Sequence, residues 1–168
     1  MAECRARKRA VLLVPMPLQG HMTPMLQLGS ILYSKGFSIV VAHSEFRPPN
    51  PLNHPEFIFH PLSDDSSGYK TSLVNLMDLI SAINSNCRAP LQEYLGQLMK
   101  DQKLEGCQVA CVIYDSVLFF VDSVATQMKI PGIVLRTNMA SYMLLYRCIF
   151  QLQAQNLLPF PGKLQTMV

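Results

Sequence analysis

The sequence predicts an α/β fold, a parallel sheet with helices on its faces, and three observations carry that expectation. Short β-rich runs alternate with longer stretches of helical periodicity, as crossover connections between parallel strands require. The first run, Ala10–Pro15, is apolar at every position, the pattern of a strand buried on both faces. The chain has 168 residues, 49% of them hydrophobic and 15% charged, which is enough core for one α/β domain and too apolar for a disordered tail.

Taken in order, a loop over Met16–His21 follows the first strand. A helix then starts with Thr23 as N-cap and Pro24 in its first turn, and Met25, Leu28, Ile31 and Leu32 recur at helical spacing. Gly36 is its expected stop. The second strand is Phe37–Ala42, Arg47–Pro55 is a proline-rich loop, and Phe57–His60 is a short third strand. Ser63–Tyr69 reads as a surface loop. Two helices, Ser72–Asn86 and Pro90–Lys100, are separated by a break near Arg88–Ala89. The fourth strand, Val109–Tyr114, closes at Asp115. A helix over Val117–Met128, a fifth strand at Gly132–Leu135, a helix over Ala140–Gln153 and a loop over Leu157–Gly162 complete the pattern.

The formal net charge of +3 does not point to nucleic acid, because Arg5, Arg7, Lys8 and Arg9 crowd the start and the remainder is close to neutral. Residues 1–9 read as a basic flexible lead. The five cysteines, Cys4, Cys87, Cys107, Cys111 and Cys148, show no metal-ligand spacing, so no metal is expected. No apolar stretch is long enough for a secretory leader or a membrane span, and reduced thiols in a cytoplasmic protein are the expectation.

In an open parallel sheet, ligands bind beyond the carboxyl ends of the strands, where the strand order reverses. With the usual order 3-2-1-4-5, the reversal falls between the first and fourth strands. Gln19-Gly20-His21 follows the first, Asp115 ends the fourth, and Thr137 lies just past the fifth. A carboxylate bonded to one imidazole nitrogen fixes the tautomer and leaves the other nitrogen to take a proton. Each residue also has a plainer reading: His21 as a structural histidine, Asp115 as a helix cap, Thr137 in a side-chain turn. His43, His54 and His60 are read as structural. The turn after the first strand carries Leu18, Gln19 and His21 where a dinucleotide fold needs glycine, and no G-x-x-x-x-G-K-[ST] occurs, which argues against an NAD enzyme.

The run Val11–Leu28, with its Gln19-Gly20-His21-Met22-Thr23-Pro24 core, resembles the opening of plant UDP-dependent glycosyltransferases. Leu32–Ile39, Cys111–Asp115 and Ile133–Thr137 are similar to the same family. The resemblance implies an amino-terminal, Rossmann-like, acceptor-binding domain over residues 10–168, incomplete, from a fold of two such domains. The donor-binding domain, with its tryptophan-containing box, is absent, and the chain is expected as a fragment on which that domain would pack. His21 matches the base that deprotonates the acceptor and Asp115 the carboxylate paired with it. Leu18, Gln19, Gly20, Thr137 and Asn138 match substrate-binding positions. The implied reaction is inverting transfer of a sugar, glucose being commonest, from a UDP-sugar to a hydroxyl or carboxyl of a small metabolite, without a cofactor. Many relatives carry an aromatic residue at Leu18 and tryptophan at Phe119, two positions that line the acceptor pocket in the resemblance, so the resemblance does not name the acceptor. The alternative is a non-catalytic remnant that binds small apolar molecules or another protein.

Overall fold

The computed structural model describes residues 9–63, 75–105 and 108–157, so most of the two surface loops expected at Ser63–Tyr69 and Leu157–Gly162 lies outside the described residues. The same holds for residues 1–8 of the basic lead and for the start of the helix expected from Ser72. The chain divides into two compact units, Met1–Arg136 and Thr137–Val168.

The first unit is built on five parallel strands: β1 (Arg9–Val14), β2 (Ser38–Ser44), β3 (Ile58–Leu62), β4 (Gln108–Asp115) and β5 (Gly132–Leu135). Their order is β3-β2-β1-β4-β5, the doubly wound arrangement expected from the sequence, with the reversal between β1 and β4. The helices are α1 (Gln19–Ser34), α2 (Leu76–Asn86), α3 (Arg88–Glu105) and α4 (Phe120–Gln127).

Alternation along the strands sorts the core onto two faces. Val11, Leu13, Ile39, Val41 and Ile113 pack with Met25 of α1 and with Phe57. Leu12, Val14, Val40, Val112 and Tyr114 pack against Leu79 and Ile83 of α2, Leu91 and Leu95 of α3, and Val121 and Val124 of α4. Gly29 lets α1 lie close to the sheet, because a Cβ there would stand 2.9 Å from Leu13 Cδ1 and 3.1 Å from the Phe57 ring.

Several boundaries differ from expectation: the break expected near Arg88–Ala89 falls at Cys87, with α3 running over Arg88–Glu105 instead of Pro90–Lys100, and two other shifts have identifiable reasons. Helix α1 starts at Gln19, not at Thr23. Leu18 is extended and its carbonyl accepts from the amides of His21 and Met22, while buried Met22 and Met25 continue the apolar face upstream. Pro24 then removes only the in-helix partner of the Gly20 carbonyl. Strand β3 runs on through Pro61 to Leu62 because it is an edge strand, where a missing N–H can face away from the ladder.

Helix α1 ends as its glycine foretells. Gly36 has φ +94°, its amide bonds the Tyr33 carbonyl and that of Phe37 bonds the Leu32 carbonyl, so the last carbonyls of the helix are satisfied. Helix α4 closes with the same two bonds, from Lys129 to Thr126 and from Ile130 to Ala125, but with a lysine at φ 57°. In the second unit, α5 (Ser141–Ala154) ends likewise around Asn156.

Candidate active site

Asp115 is the last residue of β4 and is fully buried. A buried carboxylate needs every oxygen occupied, and here both are. Oδ1 accepts the amide of Val117 at 3.1 Å and Oδ2 accepts His21 Nδ1 at 2.7 Å. The carbonyl of Asp115 takes the amide of Leu118, and the amide of Ser116 reaches the Leu135 carbonyl of β5. The short turn Ser116–Phe119 is thereby folded back on the carboxylate, and the helix expected from Val117 begins only at Phe120.

His21 is delivered from the other side of the reversal, in the first turn of α1, with its side chain 30% exposed. The bond to a carboxylate requires a proton on Nδ1, so in the neutral ring the basic lone pair is on Nε2. A fully buried carboxylate behind a partly exposed imidazole orients the ring and stabilises the cation formed when Nε2 accepts a proton. The two residues that the sequence separates by 94 positions are thus brought together.

The other predicted positions are placed less decisively. Leu18 is the N-cap of α1 and packs partly against the larger core cluster, while Gln19 and Gly20 are exposed. A Cβ on Gly20 would meet no heavy atom within 4 Å, so packing within the chain does not require glycine there. Thr137 and Asn138 open the second unit, the first half-buried and the second exposed.

The remaining histidines have structural surroundings. His43 is buried with Nδ1 3.1 Å from the Ser44 carbonyl, His54 stacks on Phe57, and His60 stacks on Tyr94 with ring centroids 3.5 Å apart. Burial, with His43 second, lowers the His60 pKa, and burial raises the Tyr94 phenol to about 12. Burial also pushes the Cys111 thiol up, which makes it a poor nucleophile. Among the described residues no three His, Cys, Asp or Glu side chains converge as a metal site would require. No helix among them is long and apolar enough to cross a membrane.

Two hollows lie away from the His21–Asp115 pair. A cleft of about 360 Å³ is lined by Arg9, Gln108, Val109, Lys129, Ile130 and Pro131, at the amino edge of the sheet. A hollow of about 550 Å³ lies along α3 beside Gln92, Glu93, Gly96 and Gln97. Neither includes His21 or Asp115, and neither holds a buried acid–base pair, so the bonded pair is the better guide to chemistry.

Sequence reasoning missed Asn84. It is buried on α2, and its side chain bonds the Val117 carbonyl at 2.9 Å and accepts the Phe120 amide at 3.1 Å, fastening the turn behind Asp115. The signal available was an asparagine on the apolar face of a helix, one residue from Ile83.

Over 154 residues, 92% of its length, the chain is 51% identical to UDP-glycosyltransferase 76E1 of Solanum lycopersicum, covering 31% of that protein. It is 38% identical to UDP-glycosyltransferase 76C1 of Arabidopsis thaliana over 160 residues, 94% of this chain and 34% of the relative. The chain therefore spans about a third of the length of the curated relatives it matches. Among solved structures it is similar to Phytolacca americana UGT2 complexed with UDP-2fluoro-glucose and pterostilbene, with a TM-score of 0.73 at 20% identity, over 89% of this chain and 35% of that one. Os79 from O. sativa in complex with U2F and trichothecene gives 0.66 at 24% identity, over 85% of this chain and 32% of that one. Both likenesses speak for the fold. No protein-family model matches the chain.

Proposed function

We propose, proceeding from the chain's membership of the plant UDP-glycosyltransferases, that its α/β domain binds a small acceptor and supplies the base that activates it for sugar transfer. The observation that carries this reading is the 2.7 Å bond from His21 Nδ1 to the fully buried Asp115.

The Nε2 lone pair of His21 takes the proton of an acceptor hydroxyl, whereas an acceptor that arrives as a carboxylate is already deprotonated and needs no base. The acceptor oxygen attacks the anomeric carbon of the UDP-sugar, with glucose as the proposed sugar. The new carbon–oxygen bond forms as the bond to the diphosphate breaks, UDP leaves, and configuration at that carbon inverts. The proton rests on the imidazole, where Asp115 stabilises it. Gly20 leaves open space beside His21 for the acceptor, with Leu18 and Gln19 in the same turn. Thr137 and Asn138 are proposed to meet the sugar. No cofactor enters this chemistry, and the thiols of Cys111 and Cys148 suit the reducing cytoplasmic setting we assign to the chain.

Holding the donor in line supplies about 7–11 kcal/mol of barrier lowering in such reactions, and we assign that task to a carboxyl-terminal domain packed on this one. The test replaces the matching part of the tomato relative with this chain and assays UDP-glucose with a panel of phenolic acceptors. Glucoside formed by the chimera, and none by the 168 residues alone, is the expected result. A folded chimera without product would favour a non-catalytic binding remnant, and transfer by the chain alone would overturn the need for a second domain.

A further inference from the structure

The carboxylate of Asp115 is only as well placed as the turn Ser116–Phe119 next to it. Local bonds hold the start of that turn, but not its junction with α4 at the Phe120 amide. Phe119, the N-cap of α4, makes no side-chain cap bond, so the first amide of the helix has no partner from its own cap. The partner comes from α2. Asn84 Oδ1 accepts the Phe120 amide at 3.1 Å, and Asn84 Nδ2 donates to the Val117 carbonyl at 2.9 Å and to the Ile80 carbonyl at 2.8 Å. Because one partner can only donate and the other two can only accept, the orientation of the amide group is fixed by its surroundings.

Val117 is therefore held at both ends of one residue. Its carbonyl is tied to Asn84 and its amide donates to Asp115 Oδ1 at 3.1 Å, while Asp115 Oδ2 receives His21 Nδ1 at 2.7 Å. We propose that Asn84 is a positioning residue for the His21–Asp115 pair, acting through Val117 to aim the buried carboxylate at the imidazole. This rests on the reading of that pair as the acid–base machinery. Asn84 and Asp115 are both buried, which limits competition from water and lets the orientation pass along the chain of contacts.

The test uses the ¹⁵N-labelled 168-residue chain, in which imidazole nitrogen shifts give the tautomer ratio of His21. The wild type is expected to be dominated by the Nδ1–H form. Asn84→Leu keeps the heavy-atom count and the branching at Cγ and adds no charge but removes both bonds to the turn, and the Nδ1–H to Nε2–H ratio is expected to fall by about 5- to 10-fold, the worth of one buried hydrogen bond. Ile83→Val removes a methylene from the same helix and is expected to leave the ratio unchanged. An unchanged ratio in Asn84→Leu, or an equal fall in both variants, overturns the role of Asn84 alone. A wild type lacking the Nδ1–H form overturns the acid–base pair itself, a separate failure. If Asn84→Leu does not fold, hydrogen exchange in the wild type decides: protection of the Val117 amide and the Asn84 side-chain NH₂ supports the proposal, and exchange at free-peptide rates removes it.

Discussion

The first and last strands of the sheet, β1 and β5, are apolar runs of nearly the same sequence character and behave as opposites. In β1 every residue after Arg9 is buried, on both faces. In β5 Gly132, Ile133 and Val134 are exposed and Leu135 is only half-buried. An apolar run states that a strand tolerates burial; the strand order decides whether it gets any, and β1 is central where β5 is at an edge. The other edge, β3, is also partly open, and there His60 stacks on Tyr94 instead of presenting an aliphatic face.

The contrast extends to the carboxyl ends of the two strands. Past β1 the chain turns into α1 and presents His21 to a fully buried carboxylate, whereas past β5 it leads to Thr137. The largest expected effect sits here. In the chimeric enzyme His21→Ala is expected to lower turnover by about 10²–10⁴-fold, the usual worth of a positioned general base. The acceptor KM should move far less, because one imidazole is a small part of an acceptor pocket. Steady-state kinetics check this, and near-wild-type turnover in His21→Ala would end the assignment of β1's carboxyl end as the reactive one.

Within the strands the comparison becomes one of stability. Leu13 is fully buried between α1 and the sheet, so Leu13→Ala is expected to cost about 2–5 kcal/mol in urea unfolding. Val134 is 47% exposed, and Val134→Ala is expected to cost under about 1 kcal/mol, since little apolar area leaves water there. Similar losses at the two sites would mean that β5 is covered in solution and that the contrast with β1 is false.

The smallest effect concerns the turns that lead into the strands. Ahead of β2, Gly36 occupies the left-handed position at the end of α1; ahead of β5, Lys129 occupies the equivalent position after α4. A side chain in that region is strained by contact of its Cβ with the backbone, and glycine is not. Lys129→Gly is therefore expected to raise stability by about 1 kcal/mol or less, measurable as a higher midpoint in thermal unfolding. A drop would show that the lysine side chain contributes contacts that outweigh the backbone strain.

Much of this molecule was legible along the chain because the signals are local. The periods of apolar residues place all five strands and the helices of the described residues, and Gly36 announces a helix end because only its own φ is at issue. The order of the strands, taken as the usual one for a doubly wound sheet, puts His21 and Asp115 at one reversal before any distance is known. What the linear pattern does not hold is every interaction whose partner is far away in sequence. Whether Asp115 caps a helix or serves an imidazole was open until tertiary structure set Nδ1 2.7 Å from its oxygen. The start of α1 at Gln19 depends on the burial of Met22 and Met25, which outweighs the local capping preference of Thr23. Asn84 looks like any polar residue on a helix, and its partners lie 33 and 36 positions onward. Local propensity is a property of neighbours in the chain, whereas burial and long-range hydrogen bonding depend on which elements pack together, and that is settled only by the folded core.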